Sequence, residues 1–556
     1  MAASSVTVRP SPIDIARAVG AAVPAEVSAQ PLLGILGVVT GAGVVTLTSR
    51  MISLGMPDFR GLHGFGYDES AWISSAFDAG LMFVGPFTVY LGGLIGPRRI
   101  LLAAAALFTT LLIFLPFAHS YSLVIALVLL CGLTSGTFYP LTLTFALRNI
   151  PLRYLPFTLA LYATFVDGAV NIAPSLYGWY RNHLSSNWMF WNSALITPLM
   201  MICIYYGIPK TKAAKKSGAA PDFAGFLYAS AGLAMLLLAC EQGERLDWWR
   251  SGVFNALFAG GALFLLSALV RRLRGPNPLV ALPYLFKWNT VLLGSLLFCF
   301  RFTLCTTIIL VPQALAIRGF EAEQIGPAII WSAAPLIPLA LIAALLLLRK
   351  FDPRLLLAIG LACTALAAWL NSQYNTTWAA ENFYRTELLT GVGQAFAFIG
   401  LVGCIVLQAI FAGALAKPEW VLTFSAFFHT IRIFGGTAGA IYMGHFLAQR
   451  EKLHSNLMGV HVRDGDWLTG QNIHAMTAGL YAKSSGLATA GARAVDLIAA
   501  RVRLQAYSLS IIDGFLLIAW SCVCALLLVA LLRKSPLSYG ELSTIRQAPA
   551  EEKESK

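Results

Sequence analysis

The chain has 556 residues, of which 58% are hydrophobic and only 12% are charged. Soluble domains carry about 25% charged residues, so this composition excludes an ordinary water-soluble protein and favours an integral membrane protein. The net charge of +13 would suit nucleic-acid binding, but most basic residues lie in short loops between apolar runs, which membrane topology explains better. We therefore expect membrane lipids around the protein and no nucleic-acid partner.

Apolar runs of about the length of a membrane span follow one another along the chain. A helix needs about 20 residues to cross about 30 Å of hydrocarbon. Fourteen runs meet this requirement, and the fold class is therefore predicted to be all-α and integral to the membrane. The predicted spans are 33–54, 70–95, 100–118, 122–147, 155–179, 190–208, 222–240, 252–270, 289–313, 325–348, 355–371, 386–414, 420–446 and 507–532.

Basic residues indicate how the spans are oriented, because short loops rich in Lys and Arg stay in the cytoplasm. Two basic loops decide the orientation. One contains Lys210, Lys212, Lys215 and Lys216, and the other contains Arg271, Arg272, Arg274 and Lys287. Both termini are then cytoplasmic. Residues 1–30 form an N-terminal segment without a signal peptide, in which 13–27 can form a short surface helix, and residues 536–556 form a tail.

Seven ionisable side chains lie within the predicted spans, where each is costly unless it faces a protein interior or a wet cavity. They are Arg50, Asp78, Asp167, Arg301, Glu387, His429 and Arg432. Their charges nearly balance, which favours a buried cavity of mixed charge over exposure to lipid.

Helical spacing places these charges on faces with other polar or small residues. The faces are Asp167, Asn171, Pro174 and Gly178 in the fifth span; Glu387, Thr390 and Gln394 in the twelfth; and His429, Arg432, Gly436 and Gly439 in the thirteenth. Each face either serves function or holds helices together through hydrogen bonds. Function is favoured for Asp167, Glu387 and Arg432, and a neutral, structural imidazole is favoured for His429.

Enzyme signatures are missing from the sequence. No P-loop, HExxH, GxSxG or paired-carboxylate pattern with supporting context occurs, and the cysteines lie in apolar runs without CxxC or Cys/His ligand spacing. We therefore expect no enzyme activity, no ATP-driven pumping, no cofactor and no metal site.

Four stretches and a long outer loop carry a family resemblance. The stretches are EQGERLDWW after the seventh span, NPLVALPYLFKWNT before the ninth, ILVPQALAIRGF at its exit and FFHTIRIFGGTAG in the thirteenth. From about residue 31 to 535 the chain resembles the major facilitator superfamily, specifically the fourteen-span drug:proton antiporters of the EmrB/QacA type. This implies six-helix halves at 31–208 and 289–535, an inserted helix pair within 209–288, and a periplasmic loop at 447–506.

The resemblance and the helical spacing together give expected roles for individual residues. Structural motif positions would be Gly92, Gly96, Arg98, Arg99, Pro174, Gly178, Gly436 and Gly439. The substrate cavity would be lined by Arg50, Arg301, Asn171, Gln394, His429 and Arg432, with Arg50 and Arg301 on opposite sides of a pseudo-twofold axis.

The loop after span two lacks the family's Asp, and the family's usual arginine of the fourth span falls near Val128. Proton coupling is therefore assigned to Asp78, Asp167 and Glu387, since a carboxyl group in a low-dielectric cavity can exchange a proton near neutral pH.

These features together predict a secondary active transporter of a bacterial inner membrane. It would export small amphiphilic or drug-like molecules in exchange for protons by alternating access, and the buried arginines favour substrates with an acidic or electron-rich group. The alternatives are an uncoupled facilitator or exchanger, and a non-transporting membrane sensor or assembly subunit. The loop at 447–506 is either a solvated flap or a docking site for a periplasmic adaptor protein, which would connect to an outer-membrane channel.

Overall fold

A computed structural model of the chain describes residues 30–85, 88–141, 154–208, 223–274, 282–411, 418–462, 465–484 and 486–544. Within these ranges the secondary structure is helical and no strand occurs. The predicted surface helix at 13–27, the basic residues from Lys210 to Lys216 and the end of the tail, 545–556, lie outside the described residues.

The described helices are numbered here in chain order. They are α1 (Pro31–His63), α2 (Tyr67–Val84), α3 (Thr88–Ile95), α4 (Pro97–Phe114), α5 (Tyr121–Ser135), α6 (Leu155–His183), α7 (Trp188–Gly207), α8 (Phe223–Gly243), α9 (Gly252–Arg274), α10 (Leu282–Leu285), α11 (Trp288–Thr303), α12 (Val311–Ala316), α13 (Ala322–Ala333), α14 (Leu336–Leu348), α15 (Pro353–Asn371), α16 (Ala380–Phe411), α17 (Pro418–Gly459), α18 (Trp467–Tyr481), α19 (Leu487–Leu531) and α20 (Tyr539–Thr544). A π-helical segment, Thr306–Leu310, lies between α11 and α12.

Twelve helices in the described ranges are long and apolar enough to cross a membrane, and they coincide with twelve of the fourteen predicted spans. The other two predicted spans, 70–95 and 420–446, fall on α2 with α3 and on α17. Three acidic residues lie among the 18 residues of α2, which lowers its hydropathy. The all-helical membrane fold is confirmed, while the count of fourteen spans stays a prediction.

Helix packing divides the bundle into an early and a late group, with one helix pair between them. In the early group α1 packs against α6 and α7, and α2 packs against α5. In the late group α15 packs against α16 and α19, and α17 packs against α11 and α19. The groups meet where α6 packs against α13, α14 and α16. The intervening α8 and α9 pack against each other, and α8 also contacts α2 and α17.

Two helices of the late group are much longer than a membrane span. α17 has 42 residues and α19 has 45 residues, so α19 is about 68 Å long at 1.5 Å per residue. The end of the bundle at which α1 begins is called the inner end here, and both long helices extend past the opposite, outer end. With α18, which packs on α19, they form what we call the outer protrusion. Arg450 and His454 of α17 lie 2.6 Å and 2.7 Å from the Asp513 carboxylate of α19, which ties the two helices together.

At the inner end, an arginine held in an ion pair at the start of α15 donates a hydrogen bond to the end of α19. Arg354 lies 2.7 Å from Asp352 and donates a hydrogen bond to the Leu532 carbonyl at 2.8 Å. Burial acts to raise the pKa of Asp352, but the hydrogen bonds from the Arg354 side chain and backbone outweigh it and hold the pKa below its ordinary value. Asp352 therefore stays ionised as the cap of α15 at neutral pH.

Candidate functional site

A cluster of arginine and tyrosine side chains lies where the early and late groups meet. The Arg432 guanidinium carbon lies 3.5 Å from the centre of the Tyr139 ring, and the Tyr139 and Tyr162 rings are 5.3 Å apart. Arg301 is close enough to interact electrostatically with Arg432, Tyr139 and Asp167. Two cations and two aromatic faces thus converge at one buried place, which can hold an electron-rich group.

Asp167 of α6 faces this cluster from the early group. Its side chain is 1% exposed, and neither carboxyl oxygen has a hydrogen-bond partner among the described residues. The charged group that acts on it is Arg301. Burying an unpaired carboxylate is costly, so Asp167 is placed to hold a proton or a ligand group.

Glu387 of α16 is equally buried, at 0% exposure, but it has a different neighbour. It lies beside Asn371 at the end of α15, and its carboxyl oxygens have no well-oriented hydrogen-bond partner in the described part of the chain. Of the two carboxyl groups, Asp167 is the one that faces the arginine cluster.

Two polar contacts connect the early and late groups beside the cluster. Asn171 donates a hydrogen bond to Gln394 at 2.7 Å, so these two predicted cavity residues meet directly. Arg50 donates to the Ile308 carbonyl at 3.2 Å. Ile308 belongs to the π-helical segment, and such segments are frequent at functional sites.

The glycines of α17 allow Arg301 to lie against that helix. A Cβ atom on Gly436 would come within 2.9 Å of the Arg301 Nη2 atom, and one on Gly439 would lie 3.2 Å from the Phe302 ring. His429, also on α17, is 1% exposed and lies 3.3 Å from the Leu81 carbonyl. Its Nε2 therefore donates to α2, an arrangement that suits a neutral structural imidazole.

The predicted loop motif after α3 has a defined structure even without the family's Asp. Gly96 has a φ of 101°, a backbone conformation that favours glycine, and α4 begins at the next residue. Arg98 donates to the Ile208 carbonyl at 3.3 Å and its guanidinium lies 4.4 Å from the centre of the Tyr205 ring. Arg99 is exposed and Gly92 is buried. Arg98 therefore holds α4 to the end of α7 instead of pairing with an aspartate.

A further carboxyl group inside the bundle, that of the half-buried Glu241, was missed by sequence reasoning. Asp78 of α2 lies close to Glu241 of α8, which lies one residue beyond the predicted span 222–240. Extending that span to the end of α8 at Gly243 would have added Glu241 to the intramembrane charges. Tyr139, Tyr162 and Asn371 were missed too, because no charged residue lies three or four positions away from them in the sequence. No group of three or more metal-ligating side chains occurs in the described ranges.

Comparison with known proteins establishes the family. Residues 38–440 match the Major Facilitator Superfamily, so the chain belongs to this superfamily and is a membrane transporter, not an enzyme. It is 24% identical to the probable multidrug resistance protein EmrY of Escherichia coli K12, over 73% of this chain and 78% of that protein. It is also 24% identical to the fatty acid resistance protein FarB of Neisseria gonorrhoeae, over 75% of this chain and 80% of that protein.

A solved structure confirms the fold. The proton:xylose symporter XylE superposes with a TM-score of 0.54 at 12% identity, covering 93% of this chain and 99% of XylE. The expected major facilitator fold is thus confirmed. At these identities the chain is a divergent member of the EmrB-type group within the superfamily.

Proposed function

We propose that the protein is a proton-coupled exporter that moves small amphiphilic molecules by alternating access. The observation that carries this proposal is the buried cluster of Arg301, Arg432 and Asp167, which draws on both helix groups where they meet. A site shared between two groups changes its accessibility when the groups rock about it. Asp78, Asp167 and Glu387 are proposed to exchange the protons.

A gradient experiment tests the coupling. In proteoliposomes with an imposed pH gradient, a proton antiporter accumulates substrate above equilibrium, whereas an uncoupled facilitator or exchanger only equilibrates it. Export without accumulation would support the facilitator, and no transport of any compound, in vesicles or in an exporter-deficient strain, would support the sensor or assembly subunit.

The arginine cluster supports substrates that carry an acidic group on an apolar body. Arg301 has two guanidinium nitrogens, and Arg432 one, without hydrogen-bond partners among the described residues. A carboxylate could accept hydrogen bonds from them while its apolar part packs on Tyr139 and Tyr162. The name of the relative FarB, a fatty acid resistance protein, agrees with this substrate class.

The Arg432→Gln variant is expected to weaken transport of a medium-chain fatty acid by about ten- to a hundredfold. A hydrogen bond to a charged group is worth about 1.5–3 kcal/mol, and 1.4 kcal/mol corresponds to a factor of ten. The measurement is the half-saturating concentration in efflux assays, with a cationic dye in parallel. Arg250→Gln, at a side chain that is 86% exposed, is the matched control. Equal loss for the dye and the acid would argue against an acid-binding role.

The proposed setting is a bacterial inner membrane with both termini in the cytoplasm. The basic residues at the end of α9, Arg271, Arg272 and Arg274, support this orientation. It places the outer protrusion in the periplasm.

The outer protrusion is proposed to dock a periplasmic adaptor protein that leads to an outer-membrane channel. It carries large apolar side chains exposed to solvent at its far end, where a soluble flap would be polar. They are Leu457 (58% exposed), Trp467 (69%), Leu468 (62%), Tyr481 (56%) and Leu487 (68%).

Deleting residues 455–500 is expected to abolish adaptor capture in a detergent pull-down while transport into vesicles persists. The substitutions Trp467→Ser and Leu468→Ser, which remove two exposed side chains, should weaken capture without altering the helices. Leu32→Ser, at a comparably exposed side chain at the inner end (70% exposed), is the control. Capture that survives the deletion would leave the protrusion as a solvated flap.

A further inference from the structure

Helix α8 of the inserted pair is attached to α2 by a row of polar contacts. Gln242 donates hydrogen bonds to the Ser75 hydroxyl at 2.7 Å and to the Ala71 carbonyl at 3.2 Å. One turn further out, Arg245 lies 2.6 Å from Asp68. Gln242 is 2% exposed, so the attachment is buried at Gln242 and reaches the surface at Asp68, which is 74% exposed.

Glu241 continues the row and also reaches the late group. Its carboxyl group lies close to the carboxyl group of Asp78 and the hydroxyl of Ser75 on α2, and to the hydroxyl of Thr437 on α17. Nearer the outer end, Glu244 lies 2.9 Å from His445 of α17. Glu241 therefore connects the inserted helix to one helix of each group, at the place where α2 and α17 flank α8.

A hydrogen bond between the neighbouring carboxyl groups of Glu241 and Asp78 requires a proton. An ionised carboxylate can only accept hydrogen bonds, so two carboxyl groups can bond to each other only when one of them is protonated. The other groups facing the pair are the Ser75 and Thr437 hydroxyls, the Cys240 thiol on the same helix and the Arg432 guanidinium. Arg432 is 5% exposed, and its Nε has no hydrogen-bond partner in the described residues. A buried cation thus lies beside two neighbouring carboxyl groups.

We propose that Glu241 and Asp78 share a transported proton and that this makes the inserted helix α8 part of the coupling mechanism. With the proton in place, Glu241 bridges α2 and α17 through Asp78 and Thr437. When the proton leaves, two like charges face each other and repel, and the bridge weakens. Proton loss then favours separation of α2 from α17, the movement that alternating access requires. This inference rests on the proposed function.

Transport by the Glu241→Gln variant in proteoliposomes tests the pair. Glutamine keeps the shape and hydrogen bonding of Glu241 but cannot exchange a proton. We expect accumulation driven by a pH gradient to fall by at least tenfold, while counterflow exchange at equal pH stays within twofold of wild type. Asp78→Asn should behave the same way. Asp247→Asn, at a surface carboxylate just after α8 that is 67% exposed, is the matched control and should keep both activities.

The outcomes separate this inference from the proposed function. If wild type accumulates substrate and Glu241→Gln accumulates it equally, the proton-sharing pair is wrong and the exporter stands. If wild type shows counterflow but no accumulation, proton-coupled export itself fails, and this inference fails with it.

Thermal stability provides a second readout that does not depend on transport. If the shared proton holds α8 to α2 and α17, the melting temperature of the purified wild type should fall between pH 6 and pH 9. That fall should be smaller in Glu241→Gln, whose amide bridges without a proton, and undiminished in Asp247→Asn. An identical pH dependence in wild type and Glu241→Gln would overturn the proposal even if the variant did not transport.

Discussion

Replacing Asp167 with Asn is expected to abolish export driven by a pH gradient. The asparagine side chain fits the same space but cannot take up or release a proton, and Asp167 has no hydrogen-bond partner in the described residues that would substitute for it. Accumulation in proteoliposomes should fall to the level of empty vesicles. Binding of substrate to the purified variant should persist, because Arg301 and Arg432 are unchanged.

The matched control for this variant is Asp496→Asn, at an exposed carboxylate on the outer part of α19, which should transport as wild type does. Unchanged accumulation by Asp167→Asn would remove Asp167 from the mechanism. Glu387 and the Asp78–Glu241 pair would then remain as the candidates for proton exchange.

Introducing a leucine at Gly178 is expected to block transport by preventing closure at the outer end. A Cβ atom on Gly178 would lie 2.8 Å from the Glu323 Cα atom, and one on Gly326 would lie 2.6 Å from the Ser175 Cα atom. These are backbone atoms of the facing helices α6 and α13, so a whole helix must move to make room. Overpacking of this kind costs about 1–3 kcal/mol, which lowers the population of the closed arrangement by about five- to a hundredfold.

Labelling measures this effect directly. A cysteine placed at Ser175 should react faster with a membrane-impermeant maleimide in Gly178→Leu than in the parent protein, while expression stays normal. Gly444→Leu is the control, because a Cβ atom at that glycine of α17 has nothing within 4 Å. Normal transport by Gly178→Leu would show that the α6–α13 contact does not have to close.

The membrane fold was predictable because hydropathy is a local property of the sequence. Each of the twelve apolar helices can be recognised from the hydropathy of its own 20 or so residues, without knowledge of the helices that it packs against. The two predicted spans that do not coincide with one of these twelve helices contain α2 and α17, which also carry Asp78, His429 and Arg432. Asp78 and Arg432 thus both belong to the candidate site and lower the hydropathy of their helices.

The site was predictable only in part, because its assembly depends on which helices meet. Charged residues such as Asp167 and Arg301 stand out in apolar runs, and the sequence predicted both. Arg432 stacks on Tyr139, which lies nearly 300 positions away in the sequence, and no local sequence pattern predicts this contact. A longer predicted span would have included Glu241, but its position beside Asp78 depends on how α8 packs against α2.

The length of α19 gives the protein a mechanical property. One uninterrupted helix of 45 residues runs from the inner end, where Arg354 contacts the Leu532 carbonyl, to the tip of the outer protrusion. A lever about 68 Å long that tilts by about 10° carries its tip through about 12 Å. A small tilt of the helix inside the membrane thereby produces a large displacement of its outer end. A partner bound at the tip of the outer protrusion would be displaced once in every transport cycle.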